Sequence, residues 1–117
     1  MGCDMHGCVE YRSMALWWSL ALIDPFPKDS DIFGVLAGVR SHRKPAIEPR
    51  GLPDDVNEDT RVTALDGHTH SWLTRKELER SIKCLPRRRY SVRVMRAVMK
   101  MMQAHPDKTR LVFWFSS

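Results

Sequence analysis

Hydrophobic and polar positions alternate through the first twelve residues. Asp4, His6, Cys8 and Glu10 fall on one side of an extended chain, and Cys3, Met5, Gly7 and Val9 on the other. A period of two over this length predicts a strand. Met14 to Ile23 is a second apolar run, closed by the breaker Asp24-Pro25-Phe26-Pro27. A strand, reached through a hairpin turn near Ser13, is the favoured reading, although the Ala-Leu content leaves a helix open.

The period then lengthens. Ser30 or Asp29 is placed to cap a short helix over Asp31 to Val39, with Ile32, Val35, Leu36 and Val39 on one face. Gly34 and Gly38 weaken it by about 1 kcal/mol each relative to Ala. Residues 41–67 read as a long irregular segment, with Pro45, Pro49, Gly51, Pro53 and the acidic stretch 54–59. A segment of that length inside one domain is often functional. At Thr74-Arg75-Lys76-Glu77 a capping box opens a helix that buries Leu78, Ile82 and Leu85 and stops at Pro86. After Arg87-Arg88-Arg89, Ser91 is placed to cap a second helix to about Ala104. Its polar stripe is Arg93, Arg96, Lys100 and Gln103, and its apolar stripe is rich in Met and Val. Thr109 to Phe115 is β-rich and suits a central strand. Strands at both ends with helices between predict one α+β domain over 1–117. Its small antiparallel sheet includes the N- and C-terminal strands and packs with two to three helices.

Composition changes this picture in two places. A chain of 117 residues, 43% hydrophobic and 28% charged, has no apolar run near the roughly 18 residues that span a bilayer. Three cysteines leave one unpaired in any disulfide scheme, which suits a reducing compartment, and a cytoplasmic location is expected. The net charge of +5 is also uneven. Residues 1–74 hold seven Lys/Arg against eleven Asp/Glu, and residues 75–117 hold twelve against three. A basic C-terminal third favours an anionic partner, a nucleotide, a nucleic acid or an acidic protein face. Arg87, Arg88, Arg89, Arg93, Arg96 and Lys100 are the candidate contacts, and a solvated helix face is the competing reading.

Two short segments concentrate coordinating groups. Asp4 and His6 share a face of the first strand with Glu10, and His68 and His70 form a His-x-His pair that shares one side of an extended segment. Brought together, these groups would suit a borderline divalent metal such as zinc, with Glu10 as general base of a metal-dependent hydrolase or nucleotide-cleaving enzyme. The same histidines also suit purely structural hydrogen bonds. The sequence has no nucleophile elbow, glycine-rich phosphate loop or HExxH, so whether the chain is an enzyme is left open.

Five blocks in order carry a resemblance. They are the opening Met-Gly-Cys-Asp-Met-His with Glu10, residues 30–40, residues 49–55, His68-Thr69-His70-Ser71-Trp72-Leu73-Thr74, and the closing Arg110 to Phe115. Together they resemble a family of small, uncharacterised bacteriophage and prophage proteins over nearly the whole chain. Met5 departs from the pattern, standing where a β-branched aliphatic residue is expected, on the face opposite Asp4 and His6. The resemblance implies a phage accessory protein. With the small size, the absence of a complete catalytic motif and the charged surface, the expectation is one that acts by binding a host protein or an anionic ligand in the host cytoplasm, to blunt a host function such as antiviral defence. The resemblance itself implies no particular chemistry.

Overall fold

The computed structural model describes residues 2–117. The two alternating segments form an antiparallel hairpin, β1 (Asp4–Ser13) and β2 (Leu16–Ile23). Ser13 lies opposite Leu16, so Met14 and Ala15 alone make the turn. Both have positive φ, 56° and 66°, the paired left-handed geometry whose twist matches that of the flanking strands. The remaining elements are α1 (Ser30–Ala37), α2 (Glu58–Ala64), β3 (His68–Leu73), α3 (Arg75–Ile82), α4 (Tyr90–Gln103) and β4 (Thr109–Ser116).

The sheet order is β2-β1-β4-β3 and every neighbouring pair is antiparallel. The expected α+β architecture is therefore present, with the two terminal strands paired at its centre. That central position is why β4 is buried from Thr109 to Phe115. On one face Met5, Val9, Leu111, Phe113 and Phe115 meet the apolar sides of α1, α3 and α4. The Met side chains of α4 belong to this core, where Met95, Met99 and Met102 are buried. Gly7 lies on the same face, and a Cβ there would stand 2.8 Å from the Phe26 ring. The absent side chain is what lets Phe26 close over β1.

Among the described residues the fold carries four helices, where the sequence pattern predicts two to three, because α2 forms inside the segment read as irregular. Seven residues are too few to show a helical period. Asn57 caps α2 by accepting from the Asp59 amide, and Thr60 and Ala64 are buried beneath it. Val56 and Ala64 pack on Val112 and Trp114, so α2 covers the second face of the sheet. Of the helix caps, one of the two residues expected for α1 takes that place and the one expected for α4 does not. Asp29 caps α1, accepting from the Asp31 and Ile32 amides, and Gly38 closes it with φ 70°. Ser91 does not cap α4; its hydroxyl hydrogen-bonds the Asp29 carboxylate instead. Among the described residues no helix is long and apolar enough to cross a membrane.

Candidate functional site

The second face of the sheet carries the polar side of β1. Antiparallel register sets His6 opposite Trp114, Cys8 opposite Val112 and Glu10 opposite Arg110. Glu10 and Arg110 are both buried, and a buried charge is tolerated only when paired and hydrogen-bonded. Arg110 Nη2 lies 2.7 Å from Glu10 Oε1, and the Asn57 amide donates to Glu10 Oε2 at 2.9 Å. The other side of the same guanidinium donates to Asp55 Oδ1 at 2.9 Å. Trp17 Nε1 donates to Asp55 Oδ2 at 2.9 Å, and Arg110 Cζ sits 3.7 Å from the centre of the Trp17 ring. Arg110 and, secondarily, Trp17 hold the Asp55 carboxyl below its ordinary pKa. One buried arginine thus fastens the 54–57 segment to the sheet and fixes one tryptophan.

A second tryptophan is fixed by a bulge. In β3, His68 pairs with Phe115 but Ser71 pairs with Phe113, so three steps on one strand match two on the other. Thr69 takes up the extra residue with φ 54°. Without it, the alternation would turn Trp72 towards the helices; with it, Leu73 enters that core and Trp72 faces the opposite way. Arg50 stacks on Trp72 with Cζ 4.3 Å from the ring centre, and donates to the Trp72 carbonyl at 3.1 Å. The same guanidinium forms a fork with Glu77, at 2.9 and 2.5 Å. Arg50 chiefly, helped by the Thr74 amide, draws the Glu77 pKa down to about 2.

Between Trp17 and Trp72 lies an open cavity of about 360 Å³. Arg110 and Thr109 line it from the sheet, Thr74, Arg75 and Lys76 from the start of α3, and Pro106 and Asp107 from the turn before β4. A further recess of about 530 Å³ adjoins it across Trp72 and Arg110, bordered by Arg50, Leu52 and Asp55. The lining carries one carboxylate, Asp107, and its cations, with those of the adjoining recess, divide into two kinds. Arg110 and Arg50 are consumed by carboxylates, whereas Arg75 and Lys76 have no ion-pair partner among the described residues. Arg75 Nε is buried without a hydrogen-bond acceptor among them, an unmet donor beside the cavity.

The histidine and carboxylate candidates do not converge. Glu10 is locked by Arg110, and Asp4 lies 3.4 Å from Lys28. The Thr69 bulge separates the His-x-His pair that simple alternation puts on one side. His68 stacks on Phe115 and bonds Thr69 and Ser117, whereas His70 Nε2 donates to the Ala64 carbonyl of α2 at 2.7 Å. Among the described residues no three His, Cys, Asp or Glu groups stand together to hold a metal. His6 has a different setting. Its Nδ1 hydrogen-bonds the Asp24 carboxylate and its Nε2 hydrogen-bonds Ser116 Oγ at 2.7 Å, with the ring stacked on Trp114.

The basic helix is partly spent on packing. Arg89 bridges Asp29 and Asp31 at the start of α1, and Arg96 pairs with Glu79 at 3.2 Å. Arg87, Arg88, Arg93 and Lys100 are exposed. Trp17, Trp72, Arg75, Lys76 and Arg50 are absent from the sequence-based candidates, because the cavity depends on long-range register and on a bulge. One local signal does exist: a charge at Arg110 between strand residues Thr109 and Leu111, in a run otherwise apolar. Comparison of the chain with protein-family models, with curated proteins and with solved structures finds no match.

Proposed function

We propose that the chain is a binding protein whose cavity takes a small ligand with an aromatic group and a negative charge, of the nucleotide class. The observation that carries this reading is the pair of immobilised tryptophans flanking two uncommitted cations. Trp17 is held by Asp55 and Arg110, and Trp72 by Arg50, so little side-chain freedom remains to be lost on binding. A base stacked on an indole gains about 1–3 kcal/mol, and a phosphate accepts from Arg75 and Lys76. Polar groups converging on an aromatic-lined cleft are the usual form of a small-molecule site. Sequestering an anionic host ligand is also an act by which a phage accessory protein would blunt a host function such as antiviral defence. Calorimetric titration with ATP, with a dinucleotide and with a short single-stranded DNA tests it at low salt. The expected result is saturable binding by at least one of these, weakened tenfold or more by Trp72→Ala and by Arg75→Ala with Lys76→Ala. No heat from any of the three at high micromolar protein would refute the reading.

A second reading rests on Asp24, His6 and Ser116, whose order of hydrogen bonds is that of a carboxylate, a general base and a nucleophile. It would make the chain a serine hydrolase, with Asp24 orienting His6 and His6 taking the Ser116 proton. It stands second because such chemistry also needs donors preorganised for an oxyanion. Labelling of Ser116 by a fluorophosphonate, abolished in His6→Ala, is the expected outcome; a serine inert to the reagent sinks it.

A further inference from the structure

The two edges of the sheet are treated differently. At β3 the outer edge is covered: the Gly51 amide donates to the His70 carbonyl at 2.8 Å, and the Arg50 amide to Ser71 Oγ at 3.0 Å. At β2 it is bare. Apart from the Trp17 carbonyl, which accepts from Asn57, the outer backbone of β2 makes no hydrogen bond among the described residues. Of the devices that usually keep an edge from pairing, β2 carries a bulge but neither charge nor proline from Leu16 to Ile23. Leu16, Trp18, Leu20 and Leu22 are each about half exposed, and Met14 at the turn is nearly fully so. Leu20 is the extra residue of the bulge between Val9 and Glu10. Its place shifts the alternation, so Trp18 flanks the helix-covered face while Leu22 lies beside Cys8 on the other. Apolar groups therefore line both sides of one unpaired edge.

We propose that β2 pairs antiparallel with β2 of a second copy, joining two four-stranded sheets into one eight-stranded sheet across a twofold axis. A second copy fits this edge better than another partner for three reasons. A twofold axis brings an uncharged apolar strand against its own equal, so no charge is buried or repelled. The twofold axis makes the pairing antiparallel, so the free outward amides face outward carbonyls except at the Leu20 bulge and the occupied Trp17 carbonyl. And five large apolar side chains, Met14, Leu16, Trp18, Leu20 and Leu22, are about half exposed or more along one edge, a contiguous apolar supply for the roughly 800 Å² that each partner gives to a standard stable interface. Because residues 50 and 51 cover the β3 edge, growth stops at two copies.

Light scattering on the full chain after size exclusion, from about 5 to 200 µM, tests this together with Leu20→Lys and Leu22→Lys. The wild type is expected to run as a dimer at the upper concentrations, and both variants as monomers with unchanged near-ultraviolet circular dichroism. If a lysine variant fails to fold, hydrogen exchange on the wild type decides: the outward amides of β2 gain protection as concentration rises. A wild-type monomer throughout the range overturns the proposal, and leaves β2 free for a strand of another protein. So do a dimer that persists in the folded variants, and oligomers that grow beyond two.

Discussion

Arg110, buried in a central strand, joins three separate parts of the chain. Its guanidinium neutralises the buried Glu10, anchors Asp55 and supports the Trp17 ring. Arg110→Ala strands Glu10 in the interior, and removing one member of a buried pair costs about 3–5 kcal/mol. Urea denaturation should show that loss, while Glu10→Leu combined with Arg110→Met recovers most of it. A loss under 1 kcal/mol for the single variant would mean that the pair is solvated. Glu77 supplies a pH dependence. Its pKa is about 2 in the folded chain against 4.5 ordinarily, so the folded state binds fewer protons. Its contribution is therefore complete above pH 4.5 and disappears as pH falls towards 2. Glu77→Gln should lower stability by about 1–3 kcal/mol at pH 7 and flatten the acid limb of the stability curve in that window. Equal acid limbs in wild type and variant would contradict the assignment.

Among the elements, the β1–β2 turn is the plainest local strain. A residue with a Cβ in the left-handed region costs about 1–2 kcal/mol, and Met14 and Ala15 both occupy it. Replacing them with Asn-Gly should raise the thermal midpoint by several degrees without changing the sheet register. An unchanged or lower midpoint would mean that the two side chains stabilise the turn by other contacts. The hairpin itself was legible, because alternation in residues 4–12 and an apolar run closed by prolines are local facts. So was α3, whose Thr74–Glu77 capping box forms as the pattern requires. The face shared by Asp4, His6 and Glu10 was legible for the same reason. What the alternation could not show was the Thr69 bulge. One extra residue reverses every side chain beyond it. It separates His68 from His70 and delivers Trp72 to the cleft. Nor could α2 be read, since its burial on Val112 and Trp114, not its own periodicity, holds it.

At the scale of the whole molecule the sheet is a partition. Three helices seal one face, while α2 and the 50–57 segment cover the other incompletely, leaving the cavity between Trp17 and Trp72. The ends of the chain meet in the central β1–β4 pair, so Glu10 and Arg110, a hundred positions apart, become one site. That closure is why no short motif announced it. The central claim is that ligand enters between those two tryptophans, and the chain contains just two others, Trp18 and Trp114, as internal controls. The most direct test is a proton–nitrogen correlation spectrum of the four indole N–H groups during titration with ATP and a dinucleotide. The Trp17 and Trp72 signals should move together along one saturable curve, with Trp114 unmoved. Static signals from both, or shifts confined to Trp18 and the backbone of α4, would contradict the account.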